Sequence, residues 1–398
     1  MKKRNFRIKV LAAILTGALA VSMFAVSAFA GEDHIKVGGL FALTGWFDSY
    51  DVAGSKGFEL ALDQINADGG IDGHEVEYVS YDTTSDLATA TSLTIKLIEQ
   101  DGVDILVGMN DPNTDIACGT IAQEYGIPSL ATVSTLPYTQ ERVGDTAFLV
   151  PYGDNVQASA MAEYAYNDLG IRTVYVMTNN TDEFTLALSK FFQQHFTELG
   201  GTLLSEGDFG AEYDDNTSTD FSSIINQILA LPEQPDAVFL GCFTDEGPII
   251  LKQLREAGID CVCLSGDGLD DLSVAQIAGD ASNNTFFSTH VNYADPSTDD
   301  FIAAYREKYN EDPQNAFAAL AYDAAYLLKY AVENYANGDY SPESIRDAIA
   351  QVTDFEGLTG TISYADGNVP TKTVFINEFK DGESLNVTHV LPDMEDEE

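Results

Sequence analysis

Residues Lys36–Gly73 read KVGGLFALTGWFDSYDVAGSKGFELALDQINADGGIDG, and this stretch decides the fold. It begins as a short apolar strand and breaks into a Gly-punctuated loop that holds the only Trp of the chain, Trp46. A helix follows, with Phe58, Ala61, Leu62 and Ile65 recurring at helical spacing so that one face is apolar. Gly69-Gly70 stops it, because glycine supplies the left-handed backbone that ends a helix. A second strand is expected over His74–Tyr81. The unit is β-α-β, and its long aromatic loop lies at the carboxyl end of a strand, where open α/β sheets bind ligands.

The same alternation runs outward along the chain. A helix is predicted near Leu87–Gln100, a strand over Asp104–Gly108, a helix through Cys118–Tyr125 and a strand over Ser129–Val133. A second series follows: helices Asp154–Leu169, Asp182–Leu199, Phe221–Leu229 and Glu246–Ala257 between strands Thr173–Met177, Thr202–Ser205, Asp236–Leu240 and Cys261–Leu264. Strands alternating with helices of this length mean parallel sheets flanked by helices. Stretches 31–150 and 154–283 are expected to be two copies of one architecture. The C-terminal third reads differently, with helices over Thr298–Lys308 and Pro313–Asn337, then two strands of a hairpin-like pair at Gly360–Tyr364 and Thr371–Phe379.

Residues 1–30 carry Lys2, Lys3, Arg4, Arg7 and Lys9, an apolar run from Val10, and Ala28-Phe29-Ala30. That order reads as a secretory signal peptide, and the mature chain is expected to be exported, periplasmic or extracellular, and soluble. It would hold 14 basic and 64 acidic residues, a formal charge of −50. Such a surface repels nucleic acid and anionic membrane. Disorder is not expected, because 45% of the residues are hydrophobic and regularly patterned. Cys118, Cys242, Cys261 and Cys263 each sit among apolar neighbours and read as unpaired core thiols.

The sequence holds no G-x-x-x-x-G-K-[ST], no G-x-G-x-x-G after a strand, no H-E-x-x-H and no G-x-S-x-G. Its five His residues do not cluster; His195 reads as a surface residue, and His290 lies near an expected hinge. Neither an enzyme, a cofactor nor a metal site is implied. The chain offers loops for holding a small solute.

The fragments GLFALTG, KGFELA, INADGGIDGHEVEYVSYD, DGVDILVG, YGIPSLATVSTLPYTQE, TDFSSIINQI, PDAVFLG, LKQLREAGI, SGDGLDD, IAGDAS and YREKYNEDP fall in one order over nearly the whole mature chain. Together they resemble the branched-chain amino-acid (Leu/Ile/Val) receptors, the periplasmic solute-binding proteins of ABC transporters. The resemblance implies an α/β fold of two Rossmann-like lobes joined by a three-stranded hinge (the type I periplasmic binding protein fold). It implies a first lobe from 31–150 plus 290–357 and a second from 151–289 plus 358–390, between the signal peptide read at 1–30 and a tail at 391–398 that reads as acidic. In that family the first lobe grips an α-carboxylate through the loops after two strands. Here those loops supply Asn113, Thr114, Ser134 and Thr135, and Thr135 matches the family's Thr. The position resembling the family's carboxylate-binding Ser is Pro112, and Asp111 beside it would repel an anion. Tyr50 matches an aromatic that packs over the ligand, and Trp46 is expected to face the solute with it. On the second lobe Asp267 matches the acid that pairs with an ammonium, a natural role for a cleft carboxylate. Two family Tyr positions fall at Phe184 and Phe243, and their lost hydroxyls suggest a changed ligand.

The expected function is an exported receptor of an ABC importer that captures an amino acid, branched-chain-like, or a related small polar solute by hinge closure. Its partners would be that solute and a membrane permease, with no nucleic acid, and the protein is expected to be a monomer. The alternative is an extracellular amide/urea-type or amino-acid sensing module that signals to a membrane receptor.

Overall fold

The computed structural model describes residues 34–210 and 220–392; the expected signal peptide and the end of the acidic tail lie outside them. The first sheet holds β1 (Lys36–Phe41), β2 (Glu77–Asp82), β3 (Ile105–Gly108), β4 (Ser129–Ala131) and β5 (Ala147–Leu149) in the order β2-β1-β3-β4-β5. All four pairings are parallel. Its connections carry α1 (Asp48–Ala67), α2 (Leu87–Lys96), α3 (Pro112–Tyr125) and the short α4 (Thr139–Val143). The second sheet holds β6 (Thr173–Asn179), β7 (Thr202–Phe209), β8 (Ala237–Gly241), β9 (Val262–Ser265) and β10 (Thr285–Thr289) in parallel. Around it lie α5 (Asp154–Glu163), α6 (Glu183–Glu198), α7 (Ser222–Leu229), α8 (Gly247–Glu256) and α9 (Leu272–Ala278). The fold is therefore two α/β lobes with mostly parallel sheets.

The opening stretch folds for the reasons its pattern gives. The apolar face of α1 buries Phe58, Ala61, Leu62 and Ile65. The helix ends in a Schellman arrangement: Gly70 N–H reaches Ile65 O at 2.8 Å and Gly69 N–H reaches Asn66 O, both glycines at positive φ. Along its length α1 packs on α11 (Phe317–Tyr335), which follows α10 (Asp299–Tyr309). Gly57 lets the two helices meet, since a Cβ there would run into the Ala318 carbonyl. The chain thus returns late in sequence to complete the first lobe, and α12 (Pro342–Ile349) packs against α11 as well.

The C-terminal strands correct the expected hairpin. The segment at Gly360–Tyr364 supplies β12 (Gly360–Ile362), which pairs with β11 (Phe355–Gly357) rather than with Thr371–Phe379. The latter segment supplies β13 (Val374–Lys380), which joins β10 antiparallel and turns into β14 (Glu383–Val390). The turn is Asp381-Gly382, both residues at positive φ, the backbone that matches a two-residue hairpin to strand twist. The expected return to the second lobe at 358 also comes later. Tyr364 Oη donates to Leu149 O at 2.9 Å, and Asn368 Nδ2 donates to Ala147 O at 2.8 Å, so this segment still lies along β5.

All four cysteines are free; Cys118, Cys242 and Cys263 are buried and Cys261 is half-buried. Among the described residues no helix is long and apolar enough to cross a membrane. His195 is half-buried on α6, its Nδ1 3.6 Å from Glu198, and so is more covered than a surface residue would be.

Candidate functional site

The loops that leave the carboxyl ends of β1, β3 and β4 meet those that leave β6, β8 and β9, the edge at which parallel sheets collect ligands. Between them lies a small cavity of about 20 Å³, which the closed lobes leave little larger than a water molecule. The first lobe lines it with Phe47, Tyr50, Asn110, Asp111, Ser134 and Thr135, among others, and Phe317 at the start of α11 adds a ring from far along the chain. The second lobe contributes Phe184, Phe243, Asp267 and Gly268.

The lobes are clasped. Tyr50 is buried, and its hydroxyl donates to Gly268 O at 2.7 Å while accepting Thr244 N–H at 3.0 Å. Ser49 Oγ lies 3.1 Å from Thr244 Oγ1, and Asn113 Nδ2 donates to Asp182 Oδ2 at 3.3 Å. Ala316 N–H donates to Asp270 and Asn315 Nδ2 to Asp271. Arg142 Nη1 stands 3.1 Å from Glu183 Oε2 at the rim.

Behind the cavity runs a buried polar chain. Thr135 Oγ1 donates to Asp154 Oδ1 at 2.6 Å, and Gln157 Nε2 donates to both Asp154 Oδ1 and Asp267 Oδ1 at 2.9 Å. Gln157 Oε1 accepts from Asp267 N–H and from Ser288 Oγ. His290 Nε2 lies 2.8 Å from Asp267 Oδ2, and the ring stacks on Tyr152 with centroids 3.9 Å apart. Tyr152 and His290 stand on two separate crossings between the lobes, so this stack joins hinge to cleft. Burial pushes His290 down from its ordinary value, an effect that Asp267 opposes. Burial raises Asp154 well above the carboxylate range, with the Asp267 charge adding to it. Asp115, Asp182, Glu246 and Asp270 are pushed up to about 7, by burial first in each case.

Of the nine residues singled out from sequence, Tyr50, Ser134, Thr135, Phe184, Phe243 and Asp267 line the cavity. Three do not. Thr114 turns its hydroxyl onto Asp111 Oδ2 at 2.7 Å, and Asn113 joins the clasp instead of the pocket. Trp46 is half-buried and packs edge-on against Phe47 and Phe243, centroids 4.9 and 5.4 Å away. Aromatic neighbours of its own take up the ring that was expected to face solute. Phe47, Asn110 and Phe317 were not singled out. Phe47 carries a signal, being the residue beside Trp46, whereas Phe317 reaches the site only through the late return of α11.

The periplasmic binding protein family model matches residues 34–383. The chain belongs to that family. Among its relatives in the periplasmic binding protein family, the leucine-, isoleucine-, valine-, threonine- and alanine-binding protein of Pseudomonas aeruginosa is 26% identical, over 92% of this chain and 93% of its own. A branched-chain amino acid transporter substrate binding protein from Streptococcus pneumoniae, solved with isoleucine, is 29% identical with a TM-score of 0.81, covering 89% of this chain and 99% of its own. A leucine binding protein from Thermotoga maritima is 28% identical at the same TM-score, covering 90% and 99%. The arrangement described above is the closed cleft of such a two-lobed binding protein, and the groups on it are suited to holding a solute.

Proposed function

We propose that this protein is the solute-capturing receptor of an ABC importer, which takes a small amine-bearing solute, an amino acid of branched-chain character or a relative of one, into the cleft between its lobes. The observation that carries this reading is the cavity itself. It sits at the carboxyl edges of both sheets, has aromatic walls, and presents the Asp267 carboxylate from the second lobe. Relatives named for leucine, isoleucine and valine, and the isoleucine complex of the pneumococcal protein, support the ligand class.

Ligand enters the open form, lies first on one lobe, and draws the other over it by rotation about the hinge. The contacts across the cleft from Tyr50, Asn113 and Arg142 then exist only in the closed state. That difference is what lets a membrane permease distinguish a loaded receptor from an empty one. The receptor acts outside the cytoplasm, as a monomer, after residues 1–30 are removed. Trp46 is the only Trp of the chain and touches Phe243 on the opposite lobe, so its emission reports closure. Titration of the mature chain with amino acids, amides and short peptides, read by heat and by Trp46 emission, tests the reading. Saturable heat with a change in emission is expected for at least one of them. Silence throughout, with the related binding proteins responding as controls, overturns the ligand class.

A further inference from the structure

The cavity is rich in hydrogen-bond acceptors and negative charge, and the donors at the start of α3 are already committed. At the start of α3, Pro112 has no N–H to offer. The next two, from Asn113 and Thr114, donate to Asp111 Oδ1 at 2.8 and 3.1 Å, and Asp115 N–H donates to Asp111 O. A helix N-terminus is ordinarily a ready anion site. Here the protein's own carboxylate occupies it. Of the loop hydroxyls, Thr135 is drawn inward and donates to Asp154 Oδ1, while the buried Ser134 hydroxyl has no partner.

Apart from the Ser134 hydroxyl, which can donate or accept, the polar side chains that face the space accept. Asn110 is 2% exposed and lines the cavity; its Nδ2 points at Thr83 Oγ1, and its Oδ1, an acceptor, has no partner. The Asp111 and Asp267 carboxylates line it too, and among the described residues no Lys, Arg or His does. The remaining wall is aromatic: Phe47, Tyr50, Phe184, Phe243 and Phe317. Aromatic rings beside carboxylates attract a compact organic cation. No three His, Cys, Asp or Glu side chains among the described residues converge as ligands for a metal ion, which turns the same charge toward an organic one. The formal charge of −50 on the chain beyond residue 30 draws cations toward the cleft.

We propose that the cleft selects a small organic cation that lacks a carboxylate, a primary or methylated amine on a compact apolar body, over the corresponding free amino acid. This rests on the cleft being the solute site. Asp267 and Asn110 take the ammonium, the rings hold the body, and Asp111 excludes a second carboxylate by occupying its donors and repelling its charge.

The test uses the mature chain and four probes: leucine, 3-methylbutylamine (leucine without its carboxylate), 4-methylpentanoate (leucine without its amine) and choline. Calorimetry and Trp46 emission read binding. The amine or choline is expected to bind at least tenfold more tightly than leucine, with 4-methylpentanoate silent; whichever cation responds says whether the ammonium is primary or methylated. Asp111→Ser keeps a helix-capping oxygen and removes the charge, so it should fold, as circular dichroism checks, and shrink the amine-to-leucine ratio at least tenfold. Leucine or 4-methylpentanoate binding as tightly as both cations overturns the proposal, as does an Asp111→Ser variant with an unchanged ratio. If leucine binds and Phe243→Ala abolishes it, the cleft survives as the solute site and only the cation preference falls. If no probe of either charge binds, both readings fall.

Discussion

The two walls of the cleft handle their polar groups in opposite ways. On the first lobe, Asp111, Thr114 and Thr135 bond to groups within their own wall or to the hinge, so that wall is set before anything arrives. On the second lobe, Gly268 O and Thr244 N–H are satisfied by Tyr50 from across the gap, and Asp182 takes Asn113. Opening leaves those bonds of the first wall in place and parts Gly268, Thr244 and Asp182 of the second from Tyr50 and Asn113. A preorganised surface loses less entropy on binding than one that must be assembled. The first wall is therefore suited to receive solute, and the second to report that solute is there.

The largest expected effect comes from the ring that serves both walls. Phe243 is buried and touches Trp46, Phe47, Tyr50 and Phe184. Phe243→Ala should cost about 3–5 kcal/mol if the cavity it leaves does not collapse, read by urea denaturation. A loss below about 1 kcal/mol would mean that the lobes are not in contact there in solution. Next comes pH. Asp115, Asp182, Glu246 and Asp270 are all raised to about 7, so each holds its proton more tightly folded than unfolded. Their contribution is fully present below about pH 4 and is lost as pH rises toward 7. Stability should therefore fall by at least about 2 kcal/mol between pH 5 and 8. Asp182→Asn should flatten that slope; a slope of opposite sign would remove these carboxyls as its cause.

The contrast between the walls also marks how far the sequence could be read. The alternation of strand and helix, the stop at Gly69-Gly70 and the position of Tyr50 follow from local pattern, because helix periodicity and caps are properties of neighbouring residues. Asp111 was legible as a charge hostile to anions. That it takes the first N–H groups of α3 for itself needed the backbone. The expected hairpin of Gly360–Tyr364 with Thr371–Phe379 pairs two neighbouring runs of β pattern, while the local turn signal, Asp381-Gly382, lies one strand further on. Phe317 and Gln157 reach the cleft by tertiary return alone, and no spacing in the chain announces that.

Asp267 sharpens the comparison from the second wall. Asp267→Asn keeps the size of the side chain and its contact with Gln157 while removing the charge aimed at an ammonium. Binding of 3-methylbutylamine should weaken by about tenfold to a hundredfold, the range for a hydrogen bond to a charged group, measured by calorimetry. Unchanged affinity would take Asp267 out of the ligand's reach. Tyr50→Phe follows, costing about 1–3 kcal/mol of closure, because Gly268 O and Thr244 N–H lose a shared partner in a buried place. A faster release of ligand with little change in its capture is the expected signature, since this bond forms only on closing. Slower capture with unchanged release would place Tyr50 with the first wall instead.

The smallest effect should come from the rim. Arg142 and Glu183 form an ion pair across the cleft, but both side chains are more than a third exposed (44% and 37%). Water and salt screen such a pair, and holding two long side chains in one geometry costs entropy, so its worth is below about 1 kcal/mol. Arg142→Gln should leave the unfolding midpoint nearly unchanged and shift the closed population only slightly, with the shift vanishing at high salt. A large effect that survives salt would mean that the clasp is held at its rim rather than by the buried Tyr50. The second wall would then be reporting closure through charge, and the division between a receiving wall and a reporting wall would have to be redrawn around Arg142.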